Sequence, residues 1–261
     1  MPTPDSIRPR RSPWWRVRRR ILSLWMRGPL SEALPGWALK TDLFDEASGP
    51  HHHAADLPPR LRFLGIDQDP EVVRQARQRL KKGVTCVVAD VRRLPFKAGA
   101  LPAVLSLSTL DHFENPADIA AGLGEISRVQ RIGGRLLLTM DNPANPEVAL
   151  RRILPAGLVQ RLRADTFFLG ATVGGREGRV LLEHAGYRVD KSGYLIHAFR
   201  YSSIRILAWL ERTGWTGLLK AMERLVLALE ILGRLPIRMI TGHYVAWIAT
   251  KVAETQVASD R

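Results

Sequence analysis

The sequence predicts an α/β protein: a doubly wound, seven-stranded, mostly parallel sheet with a helical cap inserted before the last strand. Three observations lead there. Apolar runs of strand length alternate with segments of helical period through the middle of the chain. Two successive runs, Leu61-Arg62-Phe63-Leu64-Gly65-Ile66-Asp67 and Val84-Thr85-Cys86-Val87-Val88-Ala89-Asp90, each end in a carboxylate. An amphipathic insertion over 203–234 separates the sixth apolar run from the last.

The elements follow in order. Residues 1–12, rich in proline and arginine, read as disordered. Residues 13–27 place Trp14, Val17, Ile21, Leu24 and Trp25 on one helical face with arginines opposite. That pattern suits a lid over a cleft, the reading favoured here, or an interfacial membrane helix. Residues 37–49 should hold the first strand and its loop. Leu61–Asp67 is the second strand, and Pro70 opens a helix with Val72, Val73, Ala76 and Leu80 on its apolar face. The third strand is 84–90, and Leu94-Pro95-Phe96 turns the chain into a fourth at 104–108. A helix over 115–129 carries Ile119, Leu123, Ile126 and Val129 inward. Gly133-Gly134 turns into a fifth strand, 135–140, which Asp141-Asn142-Pro143 ends at the rim of Asp67 and Asp90. Helical segments over 146–163 and a crossover helix over 174–185 lead to the sixth strand, 187–199, and 243–252 is the last. The organisation is therefore a basic arm at 1–36, a core at 37–200, a cap at 201–240, the last core strand at 241–253 and a tail at 254–261.

Composition bounds the class. With 261 residues, 46% hydrophobic and 25% charged, the chain can bury one large core and a cap. The single cysteine, Cys86, lies in an apolar strand, so no disulfide forms within the chain. The run 21–26 ends at Arg27, short of the ~7–15 apolar residues of a secretory signal, and no run reaches the roughly 18 of a membrane span. These features predict a cytoplasmic protein, with a peripheral membrane contact through the arm or the cap. The net charge of +14 admits nucleic acid, an anionic membrane or an acidic substrate, but the arginines are spread along the whole chain and select none. His51-His52-His53 suggests metal, yet consecutive side chains point apart and no matching ligand set stands nearby. A surface loop is the expectation there, and no metal site is predicted.

Two acids at adjacent strand ends have a use. Strand ends form the ligand crevice of an open parallel sheet, where one acid can accept both hydroxyls of a ribose. A second acid, one strand over, can serve an adenine edge. The simpler alternative, that each acid only starts a turn or caps a helix, is less economical for both at this spacing.

With its helix and turns, this stretch resembles the class I, Rossmann-like S-adenosylmethionine-dependent methyltransferases, in particular their small-molecule, type 11-like branch. Gly65-Ile66-Asp67 is similar to the family's ribose-binding segment, and Asp90-Val91 with Leu94-Pro95-Phe96 to its adenine-binding segment. Ser106 to Phe113 is similar to the segment beside the transferring methyl, and Arg128-Val129-Gln130-Arg131-Ile132-Gly133-Gly134 to the turn before the fifth strand. The resemblance implies S-adenosylmethionine as cofactor, held by Asp42, Asp45, Glu46, Ala47, Gly49, Asp67, Gln68, Asp90, Val91, Ser106 and Ser108. It implies methyl transfer to a small-molecule or lipid-linked acceptor, with Asp111 and Asn142 toward that substrate. His112, just past the fourth strand, and His197, past the sixth, are the candidate catalytic bases.

The first loop departs from the family. A strand ending in glycines normally lets the backbone approach the cofactor. Here Gly49, 18 residues before Asp67, is expected at the last glycine position, with Asp45 and Ala47 at the earlier ones. An acid there can take the methionyl ammonium, or the loop can exclude the cofactor. Methylation of exocyclic base amines usually uses an Asn/Asp-Pro-Pro-aromatic segment, and this chain has Ser108-Thr109-Leu110-Asp111-His112-Phe113, which disfavours nucleic acid. Two alternatives stay open: an RNA-binding methyltransferase, motivated by the charge, and a non-catalytic partner- or membrane-binding relative, motivated by the missing glycines.

Overall fold

A computed structural model of the chain describes residues 13–49, 52–80, 84–154 and 170–252. The expected disorder of 1–12, the helical reading of 155–163, His51 and the tail lie outside the described residues. Seven strands form one sheet: β1 (Gly36–Lys40), β2 (Leu61–Asp67), β3 (Thr85–Val88), β4 (Leu101–Leu107), β5 (Gln130–Asp141), β6 (Tyr187–Leu195) and β7 (Tyr244–Lys251). Their order is β3-β2-β1-β4-β5-β7-β6. All neighbours are parallel except β7, which runs antiparallel between β5 and β6. The sheet reverses its winding direction between β1 and β4, and there the strand ends open the crevice of a doubly wound fold.

Local chemistry sets the helix starts. Asp69 caps α3 (Pro70–Arg79) by accepting the Glu71 N–H at 2.8 Å. Asn115 does the same for α4 (Pro116–Val129), and Asn145 for α5 (Pro146–Ile153). A proline follows each cap, where its missing N–H costs nothing. Within β5, where its register on β4 shifts between Gln130 and Arg135, Gly133 has φ +79°, a left-handed position that favours glycine. α6 (Gly175–His184) completes the helices on that side.

The two sheet faces bury different partners. On one, Ile119, Leu123 and Ile126 of α4 and Leu182 of α6 pack against Val104, Leu136, Leu138 and Trp247. On the other, Leu22, Met26 and Leu30 of α1 (Pro13–Glu32) lie on Ala38, Leu105 and Leu137. The first half of α1 turns Trp14, Val17 and Ile21 toward Ile196, Leu207, Val226 and Tyr244. Thus α1 extends past the expected 13–27, and of its apolar stripe Trp14, Val17 and Ile21 are buried inside the protein while Trp25 is half-buried and Leu24 exposed. The interfacial-helix reading is not favoured for that reason; the second half of the helix lies on the sheet face, and its first half reaches the strand-end rim, where Arg18 meets Asp45 and lies over Tyr244. The cap comprises α7 (Arg200–Thr213), α8 (Thr216–Ala228), a 3-10 turn (Leu229–Arg234) and α9 (Arg238–Thr241).

Candidate functional site

β1 ends in a lysine. Lys40 pairs with Gly65 of β2 in the parallel register and is fully buried. Its ammonium reaches Glu46 Oε2 (3.0 Å), Asp42 Oδ1 (3.1 Å) and the Asp42 carbonyl (2.8 Å). Burial pulls this ammonium down, and Asp42, Glu46 and Asp45 more than reverse it, so Lys40 stays charged. The turn Thr41-Asp42-Leu43 then leads into the short helix α2 (Phe44–Ser48). Leu43 is fully buried and lies over Gly65, where a Cβ would come within 2.3 Å of Leu43 Cδ2. The Leu43 N–H donates to Asp67 Oδ2 (3.0 Å), and the Asp69 N–H donates to Oδ1 (3.0 Å). Burial raises the Asp67 carboxyl while these two N–H donors lower it, with a net upward shift. Each Asp67 oxygen accepts one N–H and retains a second lone pair, which suits a pair of hydroxyl donors.

The first-loop register differs from expectation. β1 is short, so the strand-end turn falls at 41–43, and Gly49 lies at the far end of α2 with an ordinary φ of −74°. The Gly49 carbonyl accepts from Arg79, so this glycine serves no turn at the rim. Asp45 faces inward to Arg18 (2.9 Å) and His53 Nε2 (3.6 Å). Burial opposes its charge, and Arg18, His53 and Lys40 hold its carboxyl well below the usual range. Glu46 is spent on Lys40 and on the His53 N–H (3.0 Å), and Ala47 packs under α3. Of the five residues expected in this loop, only Asp42 stands at the rim. Its Oδ2 accepts from Thr109 Oγ1 (3.0 Å), which in turn accepts from Thr41 Oγ1 (2.9 Å).

His53 corrects the surface-loop expectation. It is buried, with Nδ1 3.2 Å from Asp56 and Nε2 facing Asp45. Burial lowers its basicity and the hydrogen bonds to Asp45 and Asp56 raise it further, for a net increase. The β3 end is more open. Asp90 is held by Arg92 through Nε (3.1 Å), Nη2 (2.6 Å) and the backbone N–H (2.8 Å), and Arg92 depresses its carboxyl. Arg92 also bridges to Asp118 (3.0 Å) and stacks over Phe113 at 4.9 Å. The Val91 side chain belongs to the core, and Gln68 is exposed on the turn after Asp67.

The β4, β5 and β7 ends converge on a buried polar cluster. Ser108 has φ +58° and donates to Asp111 Oδ2 (2.9 Å), as does the Asp141 N–H (2.7 Å). Asp141 Oδ1 faces His243 Nε2 at 3.5 Å, and the Arg200 guanidinium donates to that nitrogen at 3.1 Å. A guanidinium only donates, so Nε2 holds the lone pair and the neutral ring keeps its proton on Nδ1. Burial, then Arg200, Arg18 and Arg151, hold His243 well below its usual value. Burial and the neighbouring Asp111 push the Asp141 carboxyl up to about 7, against Arg200. The Oδ1 atoms of Asp111 and Asp141 and the Nδ1 of His243 are buried without a hydrogen-bond partner among the described residues, and the Ser106 hydroxyl is likewise buried in β4.

The predicted acceptor residues divide around this cluster. Asp111 belongs to it, whereas His112 is exposed beside it. Asn142 donates to the carbonyls of Met239 (2.9 Å) and Gly242 (2.8 Å), a structural tie to the cap. His197 is engaged by Thr241 Oγ1 (2.7 Å) and the Tyr194 carbonyl (3.1 Å), and burial lowers its pKa. Asp141, His243 and Arg200 were missed. Asp141 alone carried a signal, as a third acid ending a strand.

Comparison with known proteins finds a methyltransferase domain in the same part of the chain. Residues 45–138 match a family model described as a methyltransferase domain. The chain is 30% identical over 138 residues to a demethylmenaquinone methyltransferase of Deinococcus radiodurans, covering 49% of this chain and 55% of that one. It is 32% identical over 78 residues to a tRNA (carboxymethyluridine(34)-5-O)-methyltransferase of Xenopus tropicalis, covering 30% of this chain and 12% of that one. The match thus spans about half of the first relative and only about an eighth of the second. The fold is similar to that of Haemonchus contortus phosphoethanolamine N-methyltransferase 2 solved with S-adenosyl-L-methionine (TM-score 0.58, 16% identity, 90% of this chain and 53% of that one). Over residues 45–138 the chain is thus similar to a type 11-like methyltransferase domain, and its fold is that of the class I, Rossmann-like methyltransferases.

Proposed function

We propose that the protein is an S-adenosylmethionine-dependent methyltransferase acting on a small-molecule or lipid-linked acceptor. The observation that carries this is Asp67, whose two oxygens are oriented by the Leu43 and Asp69 N–H groups and keep lone pairs for a ribose. In this reading Asp90 and the Arg92–Phe113 stack flank the adenine, and Asp42 with Thr41 and Thr109 receives the amino-acid end. When bound, the cofactor supplies an electrophilic methyl on a sulfonium. The chain supplies position, exclusion of water and a destination for the acceptor's proton.

That destination is the Asp111–Asp141 pair. Asp111 accepts the Asp141 N–H, and burial beside Asp111 pushes the Asp141 carboxyl up to about 7, so this rim can take up a proton near neutral pH. His112, exposed beside them, shapes the entrance. The demethylmenaquinone relative supports a hydrophobic acceptor and the tRNA relative a nucleic acid. The former is favoured because Arg16, Arg18 and Arg19 of the basic arm are engaged within the fold, by Glu223, Asp45 and Asp56. Calorimetry with S-adenosylhomocysteine tests the reading. Binding that is lost in Asp67→Ala supports it; no heat with folded protein overturns it in favour of the non-catalytic alternative.

A further inference from the structure

The cap presents its surplus apolar side chains outward. Of the nineteen exposed large hydrophobics among the described residues, eleven fall between Phe199 and Ile240. α7 turns Ser203, Leu207 and Leu210 inward, α8 buries only Val226, and the stretch 229–241 buries none. Trp209 (47% exposed) and Trp215 (57%) lie side by side, their rings 5.8 Å apart, and Leu218, Leu225, Met239 and Ile240 are each about half exposed. An exposed apolar area of this extent marks an interaction surface.

Charge identifies the partner. The acids of these helices are paired: Glu211, itself exposed, and Glu223 face Arg16 of α1 at 3.6 and 2.8 Å, and Glu230 accepts the N–H groups of Ile196 and His197. Arg212, Lys220, Arg224, Arg234 and Arg238 are exposed among the apolar side chains. Aromatic and aliphatic side chains interleaved with cations match the boundary between anionic headgroups and acyl chains, where indole rings are favoured. No described helix is long and apolar enough to cross a membrane, so this surface would lie on one.

We infer that the outward face of α7, α8 and α9 docks the protein on an anionic phospholipid surface. The same helices wall the β5–β7 rim: the Arg200 N–H donates to Glu147, Arg200 Nη1 reaches His243, and Asn142 and Asn145 hold the carbonyls of 239–242. Docking there would bring the Asp111–Asp141 cluster to the bilayer, the position a lipid-linked acceptor requires. That last consequence rests on the proposed function; the docking does not.

The test is flotation of the full chain with vesicles of phosphatidylcholine alone or mixed with phosphatidylglycerol. The expected result is binding to the mixed vesicles only, weakening steeply as salt rises. The pair Arg234→Gln and Arg238→Gln should lower the partition coefficient roughly tenfold or more. The pair Trp215→Ser and Leu218→Ser, on exposed positions, should lower it by a similar factor. Circular dichroism and S-adenosylhomocysteine binding of each variant separate loss of docking from loss of fold or of the cofactor site. Absence of binding by folded protein, or unchanged binding in both variants, overturns the inference. So does a concentration-dependent dimer that the serine pair abolishes while the vesicles stay empty, which would assign the face to a second copy of this chain.

Discussion

Replacing Asp141 by asparagine isolates the least ordinary group of the rim. The folded protein holds this carboxyl at about 7, against 3.8 in a flexible chain, because it is buried beside Asp111. The folded state therefore keeps the proton over a range in which the unfolded chain has released it. By linkage, stability falls as pH rises from about 4 to about 7 and then levels off. A shift of that size is worth roughly 4 kcal/mol as an upper bound. Asparagine has nearly the same shape and does not titrate, so the variant lacks this decline. Other groups titrate in the same window: Glu147, Glu230 and His53 are raised and contribute with the same sign, and His243 is lowered and contributes with the opposite one. Glu147, Glu230 and His53 are common to both proteins and cancel in the difference; His243 faces residue 141 at 3.5 Å, but burial and Arg200, Arg18 and Arg151 keep its ring neutral through most of the window in either protein. Urea unfolding at closely spaced pH values, followed by tryptophan fluorescence, gives the two curves. The variant's stability relative to the parent should climb between pH 4 and 7, by as much as about 4 kcal/mol, whatever constant offset the substitution adds. A difference that stays flat across that window would refute the assignment of the raised carboxyl to Asp141.

Three further outcomes are expected. Arg18→Met strands the Asp45 carboxylate, so it should cost about 3–5 kcal/mol in urea unfolding, with partial recovery in the Arg18→Met, Asp45→Asn double variant. Gly65→Ala pushes a methyl into Leu43 and Phe63, costing about 1–3 kcal/mol, and should weaken S-adenosylhomocysteine binding measurably by calorimetry because Leu43 presents its N–H to Asp67. Gly133→Ala, at φ +79° with open space around it, should cost about 1 kcal/mol through backbone strain alone and leave ligand binding unchanged.

The legible parts of the fold were those written locally. Pro70 and Pro116 mark helix starts because the cap and the first turn lie within four residues of each other, and the apolar faces of α3 and α4 follow from spacing alone. Asp67 and Asp90 could be placed at strand tips because a strand's end is visible as the end of its apolar run. The rest of the site depends on residues far apart in the chain. Arg18 meets Asp45 only because α1 lies across the sheet, and Arg200 meets His243 and Asp141 only because β7 returns between β5 and β6. Asp45 and Glu46, read as ligands for a cofactor, are instead counter-ions to Arg18 and Lys40. A lysine among apolar residues at the end of β1 has no outward sign that it will be fully buried. Its partners Asp42 and Glu46 lie within six residues and offered the one available hint.

The missing glycines of the first loop find their explanation across the sheet. A cofactor loop must lie close to the strand ends, and glycine in the loop is one way to remove the side chain that would hold it off. Here the side chain is absent from the neighbouring strand: Gly65, opposite Lys40 in the register, leaves the space that the Leu43 side chain fills. The loop can then keep Leu43, Phe44 and Asp45 and still bring the Leu43 N–H to Asp67. The buried Lys40 and Glu46 fix the turn from beneath, which a glycine loop leaves to its ligand. Such a loop is organised before any ligand arrives, so binding should order little backbone. Hydrogen exchange at 41–48 should accordingly be slow without ligand and change little on adding S-adenosylhomocysteine. Rapid exchange that ligand suppresses would show instead that the Leu43–Gly65 contact does not hold the turn in solution.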